Sequence, residues 1–158
     1  MRSIKPLTII VGLLLPLSGC VTDSTAASAV GFEVLSSEIG PANGVLENRK
    51  IEFISNQYAF DAAFSRYSGH PALQIDFTRN QVVLINAGDS LDRVTGIDLN
   101  RVEEQNGTLV VYATELIAGE GCMLPAVISS PYIFVRISSA ARVRSVQIDR
   151  EVVDCNVT

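Results

Sequence analysis

The sequence has no tryptophan, one histidine and only 18% charged residues. Histidine is the commonest general acid–base group and a frequent metal ligand, so a single His70, placed in a turn before Pro71, gives catalysis little support. Acidic residues outnumber basic ones by 17 to 12, and no basic cluster is present. Such a chain is poorly suited to nucleic-acid phosphates. We therefore expect neither an enzyme nor a nucleic-acid-binding protein, and no metal or cofactor.

The chain is, by contrast, well supplied with apolar residues and carries an odd number of cysteines. Hydrophobic residues make up 47% of its 158 residues, which is ample for one buried core in one domain. Three cysteines cannot all pair within one chain, so at least one of them requires a separate explanation.

Residues 1–19 have the layout of a bacterial lipoprotein signal peptide. Arg2 and Lys5 precede an apolar run over residues 7–17, which is too short to span a membrane as a helix because about 20 residues are needed. The run ends in Leu-Ser-Gly-Cys, which resembles the lipobox, where cleavage before the cysteine exposes it for lipidation. We therefore predict that Cys20 is lipidated. The lipid would anchor the protein to a membrane, because acyl chains contribute ~0.8 kcal/mol per buried methylene group to membrane binding.

The residues that follow predict how the protein is held in the envelope. Val21 stands where an aspartate would signal retention in the inner membrane of a Gram-negative cell, so we predict the outer membrane, facing the periplasm. Residues 20–30 are small and polar, which is typical of a flexible tether. Loss of Arg2 and Lys5 with the signal peptide changes the net charge from −5 to −7. The lipid, and not attraction to anionic headgroups, is therefore expected to attach the protein to the membrane.

Cys122 and Cys155 are predicted to form a disulfide. An exported protein occupies an oxidising compartment, and only one pairing is possible between two cysteines. Closing a loop of about 34 residues should stabilise the fold by roughly 3–4 kcal/mol. No Cys-x-x-Cys motif is present, so a structural bridge is favoured over a redox pair.

Residues 31–158 are predicted to form a single β-rich domain with one short amphipathic helix. Phe60, Ala63, Phe64 and Tyr67 follow helical spacing, with Ser55 or Asn56 available as the N-cap. Period-two alternation predicts strands at 49–54, 73–77, 81–87, 93–104, 108–117, 132–138 and 144–148, with a hairpin turn at Asn106-Gly107. About seven or eight strands favour a β-sandwich or a partly open barrel, with the helix covering one end.

A series of short motifs runs through residues 75–148: Ile75-Asp76-Phe77, residues 81–85, Gly88, Thr95-Gly96, residues 109–112, residues 119–122, Pro131-Tyr132 and Phe134-Val135. In these motifs the region resembles the C-terminal domain of the PrcB family, lipoprotein subunits of a spirochaete protease complex. The resemblance implies a non-catalytic, lipid-anchored accessory subunit with an envelope protein, such as a protease, as its partner. The family usually has Thr-Gly-Gly-Tyr where this chain has Thr95-Gly96-Ile97-Asp98, so the second glycine and the tyrosine of that loop are missing here.

Four residues of these motifs are candidates for partner binding: Thr95, Gly96, Pro131 and Tyr132. The alternatives are structural: Gly96 would permit a β-bulge or a tight approach, and Tyr132 would be a core aromatic at the start of its strand. A second functional hypothesis is an inhibitor of cysteine proteases. Residues 94–96, 119–121 and 131–132 faintly resemble the three binding loops of chagasin-type inhibitors, although the arginine of the third loop is missing.

Overall fold

The computed structural model describes residues 27–40, 48–88, 93–124 and 130–155. These residues form eight strands and one helix: β1 (Ser28–Ala29), β2 (Phe32–Glu38), β3 (Lys50–Ile54), α1 (Gln57–Ser68), β4 (Gln81–Asn86), β5 (Val94–Gln105), β6 (Thr108–Ala118), β7 (Tyr132–Ile137) and β8 (Arg142–Val153). The predicted signal peptide, Cys20 and most of the predicted tether lie outside the described residues.

The strands form two four-stranded sheets that pack face to face. The first sheet has the order β1-β5-β6-β8 and the second has the order β2-β7-β4-β3. Neighbouring strands are antiparallel except for β6 and β8, which run parallel. The prediction of a mainly β fold with one short helix is confirmed, and the sheets form a sandwich and not a closed barrel.

The second sheet is the middle of three layers. Its central strands β4 and β7 send alternate side chains to opposite faces, and both faces are buried. Val82, Leu84, Tyr132 and Phe134 pack under the helix, whereas Val83, Ile85, Ile133, Val135 and Ile137 pack against the first sheet. Burial on both faces explains why these two strands read as nearly continuous apolar runs.

Helix α1 lies on the outer face of the second sheet. The predicted stripe of Phe60, Ala63, Phe64 and Tyr67 is buried, and the Asn56 side chain accepts a hydrogen bond from the amide of Ala59 at 2.9 Å. The prediction that the helix covers one end of the sandwich is wrong. The aromatic stripe instead packs on β7, with ring centroids of Phe64 and Phe134 5.2 Å apart and those of Tyr67 and Tyr132 5.1 Å apart.

Residues 73–77 do not form the predicted strand. The Gln57 side chain accepts from the amide of Ile75 at 2.9 Å and donates to the carbonyl of Leu73 at 2.8 Å. The helix thus binds main-chain groups that would pair with a neighbouring strand if this segment were part of a sheet. The chain then turns at Asp76, whose carboxylate accepts from the hydroxyl and amide of Thr78. These hydrogen bonds lower the pKa of Asp76.

Strands β1 and β2 were not predicted, and β8 is longer than predicted. Strand β2 carries a bulge between Val34 and Ser36, which interrupts the alternation of its side chains. Strand β1 lies within the segment predicted as tether, where Ser28 and Ala29 pair with Glu104 and Glu103. The predicted hairpin turn is confirmed, since Asn106 and Gly107 have φ angles of 53° and 71°, as a type I′ turn requires.

Candidate functional site

The sandwich has two distinct ends. At the loop end, β5 and β7 begin while β4, β6 and β8 finish; there Val94 pairs with Ile117 and Ala118 with Val153. At the opposite hairpin end lies the turn at residues 106–107, which β1 approaches through its pairing with Glu104. The motifs Thr95-Gly96, 119–122 and Pro131-Tyr132 all lie at the loop end.

The most strongly fixed part of the loop end is the disulfide corner, residues 119–124 and 152–155. Cys122 and Cys155 form the predicted bridge, with Cα atoms 5.1 Å apart. The Gly119 amide donates to the carbonyl of Val153 at 3.0 Å. A Cβ at Gly119 would lie only 2.7 Å from the Asp154 carboxylate, so the lack of a side chain allows the two segments to approach closely.

Arg93 holds the same loop from the side of β5. Its Nε donates to the carbonyl of Ala118 at 3.1 Å, and one Nη donates to the carbonyls of Gly119 at 2.6 Å and Cys122 at 3.2 Å. No sequence pattern indicated this role, because an arginine bound to main-chain carbonyls about 25 residues away leaves no local signal. Covalent and hydrogen-bonded contacts together give the corner a defined shape.

This fixed corner exposes large apolar side chains. Met123 is fully exposed, Val152 is 64% exposed, and Leu124 and Val153 are each 40% exposed. A single exposed apolar residue is ordinary on a protein surface, but several of them on two segments that are fixed side by side, here a loop and the end of β8, are typical of an interaction site. The exposed carboxylates of Glu120 and Asp154 lie in the same two segments, Glu151 directly precedes the second, and the three would form a polar rim.

Thr95 and Gly96 lie beside the corner, but mainly as parts of strand β5. The Thr95 hydroxyl donates to the carbonyl of Leu116 at 3.2 Å. The pairing of β5 with β6 shifts register between Val94 and Gly96, so the bulge expected at Gly96 is present. Both residues are partly exposed and contribute little side-chain surface to a partner.

Pro131 and Tyr132 are buried, which does not support the partner-binding role predicted for them. Tyr132 has no exposed surface and packs against Tyr67 and Phe134, while burial raises the pKa of its hydroxyl. The Pro131 carbonyl accepts from the amide of Ala87 at 2.9 Å. Strand β7 is a central strand covered by the helix, so the residues that begin it belong to the core. The segments 94–96 and 119–121 therefore lie together, without an exposed third loop at 131–132.

A buried carboxylate connects the two sheets near the corner. Glu115 has no exposed surface and forms ion pairs with Arg49, which precedes β3, and Arg150 of β8. Its Oε2 lies 3.2 Å from both Nη1 of Arg49 and Nε of Arg150. The alternation of β6 places Glu115 on the inward face with Val111 and Ala113, a position where sequence patterning predicts an apolar residue.

Groups that could carry catalysis are sparse in the part of the chain that the structure describes. His70 is exposed after the end of the helix, where its amide donates to the Ser68 hydroxyl at 3.2 Å. No three or more His, Cys, Asp or Glu side chains in the described ranges gather closely enough to hold a metal ion. No helix in these ranges is both long and apolar enough to cross a membrane.

Comparison with known families finds a match for the segment that contains residues 119–124 of the disulfide corner. The family model PrcB_C, described as PrcB C-terminal, matches residues 96–138. These residues, here called the PrcB segment, are thus similar to the PrcB C-terminal family. The match lies inside the region 75–148 that was predicted from motifs, and it confirms that resemblance. No curated protein and no solved structure shows a significant match to the chain.

The PrcB segment includes β6, β7 and nearly all of β5, so it draws on both sheets. Its strands depend on neighbours outside the match, because β7 lies between β2 and β4 and β6 lies beside β8. Residues 119–124 of the disulfide corner belong to the segment, whereas Cys155 does not. The corner is thus a surface of the PrcB segment that is fixed in place by the C-terminal strand.

Proposed function

We propose that this protein is a non-catalytic accessory subunit of an envelope protease complex and that it binds its partner through the disulfide corner. The observation that carries the proposal is the exposed apolar group on the corner, of which Met123 and Leu124 lie within the segment that matches the PrcB family model. The family name supports association with a protease complex, and the surface supplies a site for it.

The corner has the physical properties of a preorganised binding surface. The disulfide and the three hydrogen bonds from Arg93 restrict the loop before binding, which lowers the conformational entropy that association would otherwise cost. Met123 supplies a flexible, polarizable side chain that adapts to an apolar pocket. The acidic residues around it favour a partner with a basic rim.

A double variant tests the corner directly. Met123→Glu/Val152→Glu should reduce co-isolation of the protease from solubilised membranes by at least about tenfold, because residues at the centre of an interface often contribute 2 kcal/mol or more. The protease is quantified by mass spectrometry after capture of the full-length protein. Tyr58→Glu/Leu73→Glu is the matched control, since these apolar side chains are also exposed but lie away from the corner. Equal capture by both variants would contradict the proposal.

We also propose that a lipid on Cys20 holds the protein at the outer membrane, facing the periplasm. The position of β1 supports this arrangement, because the chain enters the domain at the hairpin end and the corner lies at the other end. Residues 20–27 can span at most about 29 Å. A domain tethered in this way would present the disulfide corner away from the bilayer.

Replacing Cys20 tests the lipid anchor. With residues 1–19 exchanged for a signal peptide that is cleaved without a lipobox, the Cys20→Ala variant should move from the membrane fraction to the soluble periplasmic fraction, since the acyl chains would be lost. Fractionation followed by immunoblotting measures this distribution. Cys122→Ser/Cys155→Ser serves as the control and should remain in the membrane fraction. Retention of Cys20→Ala in membranes would refute the anchor.

Direct inhibition of a cysteine protease is the second candidate function, favoured by the adjacency of segments 94–96 and 119–121. Burial of Tyr132 removes the third element of that arrangement. Titration of papain with the purified protein separates the two functions. An accessory subunit should leave papain active at equimolar concentration, whereas tight stoichiometric inhibition would favour the inhibitor.

A further inference from the structure

A groove separates two strand edges on one side of the sandwich. In the parts of the chain that the structure describes, β3 pairs only with β4 and β8 pairs only with β6, so each strand has one free edge. Near the hairpin end these edges border a groove of about 430 Å³. It lies at the other end of the sandwich from the disulfide corner.

The groove is partly apolar. Phe53, Phe77 and Val143 contribute to its lining, and Phe53 remains 48% exposed. Ile51 lies on the same face of β3 as Phe53 and is 39% exposed. Ile51 and Phe53 face the first sheet at the side where that sheet ends at β8, because they pair with the inward-facing Ile85 and Val83, and they are incompletely covered there.

Gln81 already forms strand-like hydrogen bonds with the edge of β8. Its side-chain oxygen accepts from the amide of Val143 at 3.1 Å, and its side-chain nitrogen donates to the carbonyl of Ala141. A side-chain amide thus takes the place that the peptide group of a neighbouring strand would occupy. The edge of β8 that follows offers main-chain groups to an added strand in the same way.

Positive charge surrounds this groove in an otherwise acidic protein. Arg142 lines it, Arg144 follows two residues along β8, and Arg79 lies on the adjacent turn. All three are exposed, and their side chains form no ion pair or hydrogen bond with other described residues. Asp76 is the acidic residue nearest to Arg79 in sequence. Its carboxylate already accepts hydrogen bonds from Thr78, and of the three arginines it interacts electrostatically only with Arg79.

We propose that the groove binds an extended, acidic segment of a partner protein. The segment would add to the free edge of β8, place an apolar side chain between Phe53 and Val143, and direct carboxylates toward Arg142, Arg144 and Arg79. Main-chain hydrogen bonds would hold it in an extended form, and the apolar and charged side chains would select it. This surface is separate from the disulfide corner, so it goes beyond the proposed function and does not depend on the lipid anchor.

A labelled model peptide tests the chemistry of the groove. The probe is a fluorescein-labelled 12-residue peptide of alternating Glu and Val, measured by fluorescence anisotropy with the full chain in neutral detergent. The Glu-Val peptide should bind, and amide hydrogen exchange should slow at residues 142–146. Arg142→Gln/Arg144→Gln should weaken binding by about tenfold, since two exposed ion pairs with the peptide would be lost.

Matched controls decide whether the binding is specific. Arg66→Gln/Arg101→Gln makes the same change in net charge and should leave binding unchanged. A Glu-Val peptide methylated on alternate amides should bind more weakly, because it cannot complete the edge hydrogen bonds. Equal binding by a Lys-Val peptide, or equal loss in the two arginine variants, would overturn the proposal.

Two other occupants would also overturn it. Protection of residues 142–146 by bicelles containing phosphatidylglycerol, without protection by the peptide, would assign the groove to a membrane surface. Protection that rises with protein concentration in the absence of peptide would assign it to a second copy of the chain. Because the disulfide corner takes no part in this assay, failure here leaves the proposed function standing.

Discussion

An Arg49→Met/Arg150→Met double variant should lose about 3–5 kcal/mol of unfolding free energy at neutral pH. Glu115 has no exposed surface and is paired with both arginines, so the variant would leave its carboxylate buried without a counter-charge. Chemical denaturation of the purified protein, followed by circular dichroism, measures the loss. The effect should be large because burying an unpaired charge costs more than losing an ordinary surface contact.

The direction in which a third substitution changes the stability distinguishes an effect of charge from an effect of packing. Adding Glu115→Met to the double variant should recover most of the lost stability, because an apolar side chain of similar length suits the apolar inner face of β6. Lys50→Met is the control, since Lys50 pairs with Glu52 at the surface and its loss should cost less than about 1 kcal/mol. A triple variant no more stable than the double would show that the carboxylate is not the source of the instability.

Removing the disulfide with Cys122→Ser/Cys155→Ser should cost roughly 3–4 kcal/mol, because the unfolded chain would regain the entropy of an open loop. The same denaturation experiment measures the loss, and Cys20→Ser should leave stability unchanged. Reduction of the unaltered protein with dithiothreitol should reproduce the effect. A change below about 1 kcal/mol would mean that the bridge adds little to the native fold.

The disulfide variant should also lose partner binding before it loses its fold. Arg93 still binds the carbonyls of residues 118, 119 and 122, and β6 still pairs with β8, so the sandwich should persist at low temperature. Residues 153–155 would no longer be fixed to residues 122–124. We therefore expect weaker capture of the protease under conditions where circular dichroism still shows the native sheet.

Local patterns predicted those features that depend on neighbours in sequence. The helix follows from four apolar residues on one face and an asparagine cap, and the β5–β6 hairpin follows from Asn106-Gly107. The disulfide followed from cysteine count and compartment. In each case the physical cause acts within a few residues or leaves a single possible pairing.

The remaining features depend on contacts between distant parts of the chain. The local sequence around Tyr132 does not indicate whether its side chain is exposed or buried. Its burial results from the central position of β7 in the second sheet. Residues 73–77 alternate like a strand, but Gln57 takes up their main-chain groups. Glu115 interrupts an apolar face because Arg49, directly before β3, and Arg150 of β8 reach it. None of these partners is adjacent in sequence.

Site-specific photo-crosslinking at residue 123 in intact cells tests the central claim most directly. A photoreactive amino acid at Met123 should crosslink to a protease, identified by mass spectrometry, whereas the same amino acid at Tyr58 should not, because that exposed side chain lies on the helix away from the disulfide corner. Crosslinks to the protease from position 58 alone, or to no protease from position 123, would contradict an accessory subunit that binds through this corner.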